Sequence, residues 1–207
     1  MLFTQTPVSI FKRLYPEAIF ALSNPSQIAL TFDDGPVPDV TETILEILNK
    51  YNVKASFFCV GENVEKHPHI FQKIIQEGHS IGNHTYSHLN GWKTSNSIYF
   101  ENIEKFNQLY PTNLFRPPYG KLRFSQYKHL IEKQYKVIFW SVITYDYNSK
   151  MTYKKCFKLL KNNTFGGQII LFHDNIKSFR LISKILPDFI EFCQNLNLTF
   201  VPLKNEL

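Results

Sequence analysis

The sequence predicts an α/β protein. From residue 26 onward, short β-rich runs alternate with longer amphipathic runs, the pattern of strands separated by helices. Most of the short runs are almost continuously apolar, as parallel strands are when helices cover them. The helix-like runs also start and stop at residues suited to helix ends. With 207 residues and 43% hydrophobic content, the chain is long enough for one substantial core, and nothing in its composition requires a second domain.

In chain order, a strand is expected at 28–33, where IALTFD ends against DGP. The run VTETILEILNKY at 40–51 reads as a helix, because Ile44, Leu45, Leu48 and Tyr51 repeat at helical spacing; Thr43 and Glu46 suit a capping box. A buried strand follows at 55–60. In HPHIFQKIIQEGH, Pro68 suits a first helical position, Ile70, Ile74 and Ile75 form the apolar stripe, and Gly78 suits the position just past the end. Strands at 79–82, 114–116, 137–142, 168–172 and 199–202 alternate with helices at 98–110, 125–133, 152–162 and 179–195. Pro187 is expected to kink or divide the last helix. Seven strands of this kind fit either an open doubly wound sheet or a barrel, and periodicity does not choose. Both gather chemistry at the carboxyl ends of their strands.

The net charge is +6, but the 23 Lys and Arg are dispersed among 17 acids, so the chain lacks the basic block of a nucleic-acid binder. No run reaches the length of a membrane span. Lys12 and Arg13 precede LYPEAIFALS, where Pro16 and Glu17 interrupt the apolar stretch a signal peptide needs, which predicts a cytoplasmic protein. A monomer is assumed. Cys59, Cys156 and Cys193 are too widely spaced for a disulfide framework or a CxxC site and are expected as buried thiols.

Five segments at predicted strand ends carry residues able to do chemistry. LTFDDGP sets Asp33 beside Asp34; the plain reading is a turn, yet adjacent carboxylates disfavour each other's ionisation and call for a partner. GNHTYSH spaces His84 and His88 so that one helical turn would bring both imidazoles to one side, where they share a metal or merely decorate a surface. Two His and one Asp from another strand end make up the donor set of a catalytic zinc site. FRPPYG offers Arg116 to orient a carboxylate and a rigid Pro117-Pro118 loop to aim a backbone N–H, or is simply a proline turn. Asp146, in WSVITYDY, pairs with Arg116 or caps nearby backbone. His173 in ILFHD sits where a titrating side chain enters a cleft, although a lone His there is more often structural.

The order TFDDGP, HTYSH, RPPYG, the Asp146 segment and LFH resembles that of the polysaccharide deacetylases with the NodB homology domain, carbohydrate esterase family 4, from about residue 28 to 202. KASFFCVGENVEKHPHIFQKIIQEGHSIGNHTYSHLN is similar to that family along its whole length. The resemblance implies a distorted (β/α)7 barrel, which sets the domain at residues 26–207; residues 1–25 are expected as an extension packing on it. It also implies one divalent metal ion, zinc first with cobalt or nickel as alternatives, held by Asp34, His84 and His88. Asp33 then resembles the general base, His173 the general acid, Arg116 the arginine that orients the base and Asp146 the tether of that arginine. The Tyr119 backbone N–H resembles the oxyanion donor. Leu171 with Trp140 or Tyr147 resembles the wall around the acetyl methyl, and Pro118 stands beside it in the substrate site. Thr85 and Ser87 receive no role.

The implied reaction is removal of N-acetyl groups from a glycan containing N-acetylglucosamine, of the chitooligosaccharide or peptidoglycan type, with release of acetate. The chain departs from the family's fourth motif, Asp-x-x-Asp-Trp, by having Ile143 for the first Asp and Tyr147 for Trp, which affects the shape of the pocket wall. Two other readings stay open: the same metal chemistry on an O-acetyl ester or a non-sugar amide, and a carbohydrate-binding protein without catalysis.

Overall fold

The computed structural model describes residues 8–203. Its helices are α1 (Val8–Leu14), α2 (Val40–Lys50), α3 (Gly61–Lys66), α4 (Pro68–Gln76), α5 (Asn96–Leu109), α6 (Phe124–Glu132), α7 (Tyr153–Asn163) and α8 (Ile176–Asn195). Its strands are β1 (Gln27–Asp33), β2 (Ser56–Cys59), β3 (Ser80–Asn83), β4 (Leu114–Phe115), β5 (Lys136–Val137), β6 (Val142–Ile143), β7 (Gln168–His173) and β8 (Thr199–Phe200). Parallel pairing gives the order β5-β4-β3-β2-β1-β7-β6, with β8 joined to the start of β1. This is the distorted (β/α)7 barrel.

The expected strand at 137–142 is divided, and the division shapes the barrel. Its first part pairs with β4, where the Ile138 N–H donates to Phe115 O at 2.8 Å. Its last part pairs with β7, where the Ser141 N–H donates to Ile169 O at 2.9 Å. One segment thus crosses from one edge of the sheet to the other, and a crossing cannot stay in a single ladder. Residues 19–22 lie against the same crossing: the Ile19 N–H donates to Val137 O at 2.8 Å, and the Leu22 N–H to Gly167 O at 2.7 Å. Phe20 stacks on Phe139 with ring centroids 4.9 Å apart.

Strand alternation sorts the core into layers. Leu30, Phe32, Ile170 and Phe172 share a buried cluster with residues of α2 and α8, whereas Ala29, Phe58, Ile138 and Ile169 form a smaller cluster with Val201 and Leu203. The period of 2 that turns Leu30 and Phe32 to the helices turns Ala29, Thr31 and Asp33 the other way, and in β7 it sends Leu171 and His173 there too. The polar residues at these strand ends therefore converge.

Helix ends follow local chemistry. Pro68 opens α4, and Gly78 follows it with φ +80°, a left-handed conformation that favours glycine. The cap of α2 lies earlier than expected: the Asp39 N–H donates to Glu42 Oε2 at 3.1 Å, while the Thr43 hydroxyl donates to Asp39 O at 2.6 Å from inside the helix. Asp39 outcompetes Thr43 as the cap because the helix already begins at Val40. α8 starts before residue 179 and runs unbroken through Pro187. The three cysteines are buried and free. Among the described residues no helix is long and apolar enough to cross a membrane.

Candidate active site

At the carboxyl ends of β1, β6 and β7 lies a cleft of about 680 Å³. Asp33, Asp34, His84, His88, Tyr119, Trp140, Tyr147, Leu171 and His173 line it; Ile143 does so as well. The two adjacent aspartates separate there. Asp33 closes β1 with the strand's inward orientation, and Asp34 turns away with φ +89°. Gly35 follows against Asp174, so close that a Cβ at Gly35 would fall 1.8 Å from Asp174 Oδ2.

Asp34, His84 and His88 present ligand atoms that all lie within 4.8 Å of one another. His88 Nε2 is 3.2 Å from Asp34 Oδ1, and His84 Nε2 is 3.8 Å from the same oxygen. The buried His84 ring places Nδ1 2.8 Å from the Arg116 carbonyl. A carbonyl only accepts, so Nδ1 carries the proton and Nε2 keeps its lone pair for a ligand. Burial lowers the His84 pKa to about 4, with the His88 charge acting in the same direction and Asp33 and Asp34 opposing. Burial opposes ionisation of Asp34 as well, but the His88 hydrogen bond and the charges of His173 and His84 prevail and hold its carboxyl well below the usual range. Two imidazoles and an ionised carboxylate are a donor set that fits a divalent cation of the zinc type.

The histidine segment is not the helical turn its spacing allows. It is a loop with left-handed backbone at Thr85, φ 61°, and His88, φ 53°. Asn83 shapes it: its Oδ1 accepts from the Thr85 N–H at 2.8 Å while its Nδ2 donates to Ile103 O and Asn107 Oδ1. Thr85 Oγ1 then accepts from the Leu89 N–H at 2.9 Å. Side-chain bonds to the backbone hold strained dihedrals that a helix would not supply.

Arg116 is fully buried beneath the cleft. Its Nη1 donates to Asp33 Oδ1 at 2.7 Å and to Thr31 Oγ1 at 2.8 Å, its Nη2 to Phe139 O at 3.0 Å, and its Nε points to Ile138 O at 3.4 Å. The guanidinium carbon lies 4.0 Å from the centre of the Phe58 ring. Burial of such a charge is tolerable because each of the three guanidinium nitrogens has an acceptor and one of these is a carboxylate.

Asp146 does not tether Arg116. Its Oδ2 accepts from the His173 backbone N–H at 2.8 Å and its Oδ1 lies 2.7 Å from His173 Nδ1. The reason is register: β6 and β7 are neighbours, with Ile143 opposite Leu171, so the residues after them meet. Burial disfavours the imidazolium, yet Asp146, and beyond it Asp34 and Asp33, raise the His173 pKa to about 9. Tyr147 sets its ring edge-on to His173 at 4.7 Å.

Tyr119 occupies a tight turn, Pro118–Gly120, with φ 61°, and its ring meets His88 at 4.6 Å. Pro118, the first residue of that turn, is buried and does not line the cleft. Sequence reasoning missed two neighbours of His173. Asp174, buried and raised well above the usual carboxyl range by that burial, accepts from the Gly35 N–H and the Thr41 hydroxyl, each at 2.8 Å, and so braces the aspartate turn. Asn175 donates Nδ2 to Asp34 Oδ2 at 2.6 Å. The only signal for either is adjacency to His173.

A family model described as polysaccharide deacetylase matches residues 23–140. A peptidoglycan-N-acetylglucosamine deacetylase of Bacillus cereus is 40% identical over 174 residues, 81% of this chain and 62% of the relative, so the match spans under two thirds of that protein. A second protein of that description and species is 32% identical over 177 residues, 80% of this chain and 83% of the relative. Among solved structures, the Bc1960 peptidoglycan N-acetylglucosamine deacetylase, crystallised with a naphthyl N-hydroxybenzamide, superposes with a TM-score of 0.89 at 35% identity over 98% of this chain and 97% of that one.

Proposed function

This chain belongs to the polysaccharide deacetylase family, and from that premise we propose that it is a metal-dependent hydrolase removing N-acetyl groups from a glycan containing N-acetylglucosamine. The observation that carries the reading is the placement of Asp33, tied to Arg116, beside the Asp34, His84 and His88 donors, with His173, held from behind by Asp146, lining the same cleft. Relatives described as acting on peptidoglycan and on chitooligosaccharides support the substrate class.

Asp34, His84 and His88 would hold the ion; zinc is the choice for this donor set, and cobalt or nickel can replace it. When bound, the ion supplies Lewis acidity that polarises the acetamide carbonyl and acidifies water. Asp33, kept oriented by Arg116, takes the proton of the attacking water. The Tyr119 backbone N–H donates to the oxyanion as the carbonyl carbon becomes tetrahedral. His173, its Nδ1 proton held by Asp146, gives the proton on Nε2 to the departing amine. Trp140, Tyr147 and Leu171 surround the acetyl methyl, and Ile143 extends that apolar wall. Acetate and a free amino sugar leave.

Product analysis tests the reading. Acetate and new primary amine should appear in equal amounts from acetylated chitooligosaccharide or peptidoglycan fragments. Acetate from O-acetylated material without new amine would replace the amide reading with the ester one.

A further inference from the structure

We propose that Trp92 is a sugar-stacking platform that binds the glycan strand beyond the cleft; this rests on the de-N-acetylase reading and extends its substrate site. Trp92 is 54% exposed, which is unusual for the largest side chain, yet it is held from several sides. Its indole Nε1–H donates to Leu122 O at 3.1 Å, and its backbone N–H donates to Asn90 Oδ1 at 3.1 Å. Its carbonyl accepts from Arg123 Nη2 at 2.9 Å, and the preceding Gly91 carbonyl accepts from the buried Gln126 Nε2 at 3.0 Å. A Cβ at Gly91 would fall 2.5 Å from Lys121 O, so the turn is seated directly on the following segment. An exposed ring fixed in this way gains little for folding. It has already lost the conformational freedom that a ligand would otherwise have to remove.

Position ties this ring to the cleft. Trp92 follows the metal-site residue His88 by four residues, which limits their separation to about 14 Å even in extended chain. The cation of Lys121, two residues past Tyr119, lies 5.3 Å from the centre of the Trp92 ring. The segments 88–92 and 119–121 therefore run side by side, in contact through the His88 and Tyr119 rings at the cleft and again through the Trp92 ring and the Lys121 ammonium. The ligand class follows from the chemistry: a pyranose offers an apolar C–H face to an aromatic ring and hydroxyls to a neighbouring ammonium. The occupant is the same glycan whose acetamide enters the cleft, a few sugars along.

The test compares wild type, Trp92→Ala and Trp92→Phe on N-acetylglucosamine oligomers from dimer to hexamer. Trp92→Ala should raise KM for the hexamer about tenfold, far more than for the dimer, with kcat affected less; Trp92→Phe, which keeps a ring, should recover most of the loss. An equal effect at every length, or no rescue by phenylalanine, overturns the platform. A second arm needs no turnover. Trp92 and Trp140 are the only tryptophans in the chain, so their indole N–H signals are resolved by NMR, with Trp92 assigned through Trp92→Phe. Metal-stripped wild type titrated with the hexamer should shift the Trp92 signal, and an unmoved signal overturns the proposal. A shift without acetate release from any substrate would keep the platform and reject the de-N-acetylase reading.

Discussion

Asp33, the last residue of β1, and Asp146, just past β6, are both buried carboxylates, and each is paired with a different cation. Asp33 faces a guanidinium that holds its charge at every ordinary pH, the partner a base needs. Asp146 faces an imidazole, whose charge its carboxylate regulates. With the His173 pKa raised to about 9, the acid form persists well above the ordinary histidine value and is lost as pH rises through the shifted one. A metal at Asp34 offsets that carboxylate's share of the shift, so the loaded enzyme should lose activity on an alkaline limb somewhat below 9. Asp146→Asn removes the main raising charge. It should bring that limb down by about one unit and lower kcat by about 10²-fold, as pH profiles of kcat in the two proteins will show; superimposable profiles would contradict the assignment. The paired aspartates and the histidines were visible in the sequence because five such segments follow one another at strand ends in one order, although DDG alone reads as a turn and HxxxH alone as a surface pair. The partner of Asp146 was not, since it depends on β6 lying beside β7 and chain order carries no such adjacency.

At the scale of elements, α8 does more than cover the sheet. Its cap residue, Asn175, accepts from the Ser178 N–H through Oδ1 at 3.1 Å and donates to Asp34 through Nδ2 at 2.6 Å. One carboxylate oxygen of Asp34 is thus occupied, and the other faces His84 and His88. Asn175→Ser keeps a capping hydroxyl but is too short to reach Asp34. It should weaken zinc binding about 10-fold or more while leaving the melting temperature of the metal-free protein close to wild type; calorimetric titration with zinc measures the first and thermal unfolding the second. Undiminished zinc affinity would remove Asn175 from the metal site. The helices with long apolar stripes were legible, down to Pro68 and Gly78. α3 was not, because GENVEK has six residues and one buried aliphatic side chain, too little for a period. The conformation of the HTYSH loop was not legible for a different reason: its spacing also fits a helix, but hydrogen bonds to Asn83 and Thr85 set left-handed backbone that spacing does not encode.

The whole molecule brings these parts together by curving its sheet so that one segment, residues 137–142, spans from one edge to the other. Periodicity left open sheet and barrel equal, since the strands look alike in both, and the difference lies in residues 137–142 passing from β4 to β7. That crossing puts the Ile138 and Phe139 carbonyls under Arg116 and Trp140 in the cleft wall, so the barrel's distortion helps to build the site. The complete set of Asp33, Asp34, His84, His88, Arg116 and His173 favours an enzyme over a binding protein on the same scaffold. We propose that this set performs metal-dependent de-N-acetylation with Asp33 as base. Acetate release from chitooligosaccharides and peptidoglycan fragments should be measured on protein stripped by a chelator and resupplied with zinc or cobalt, with Asp33→Asn alongside. Release should return with metal and fall by at least about 10²-fold in Asp33→Asn. Release that ignores the metal, or survives in Asp33→Asn, would contradict the proposal.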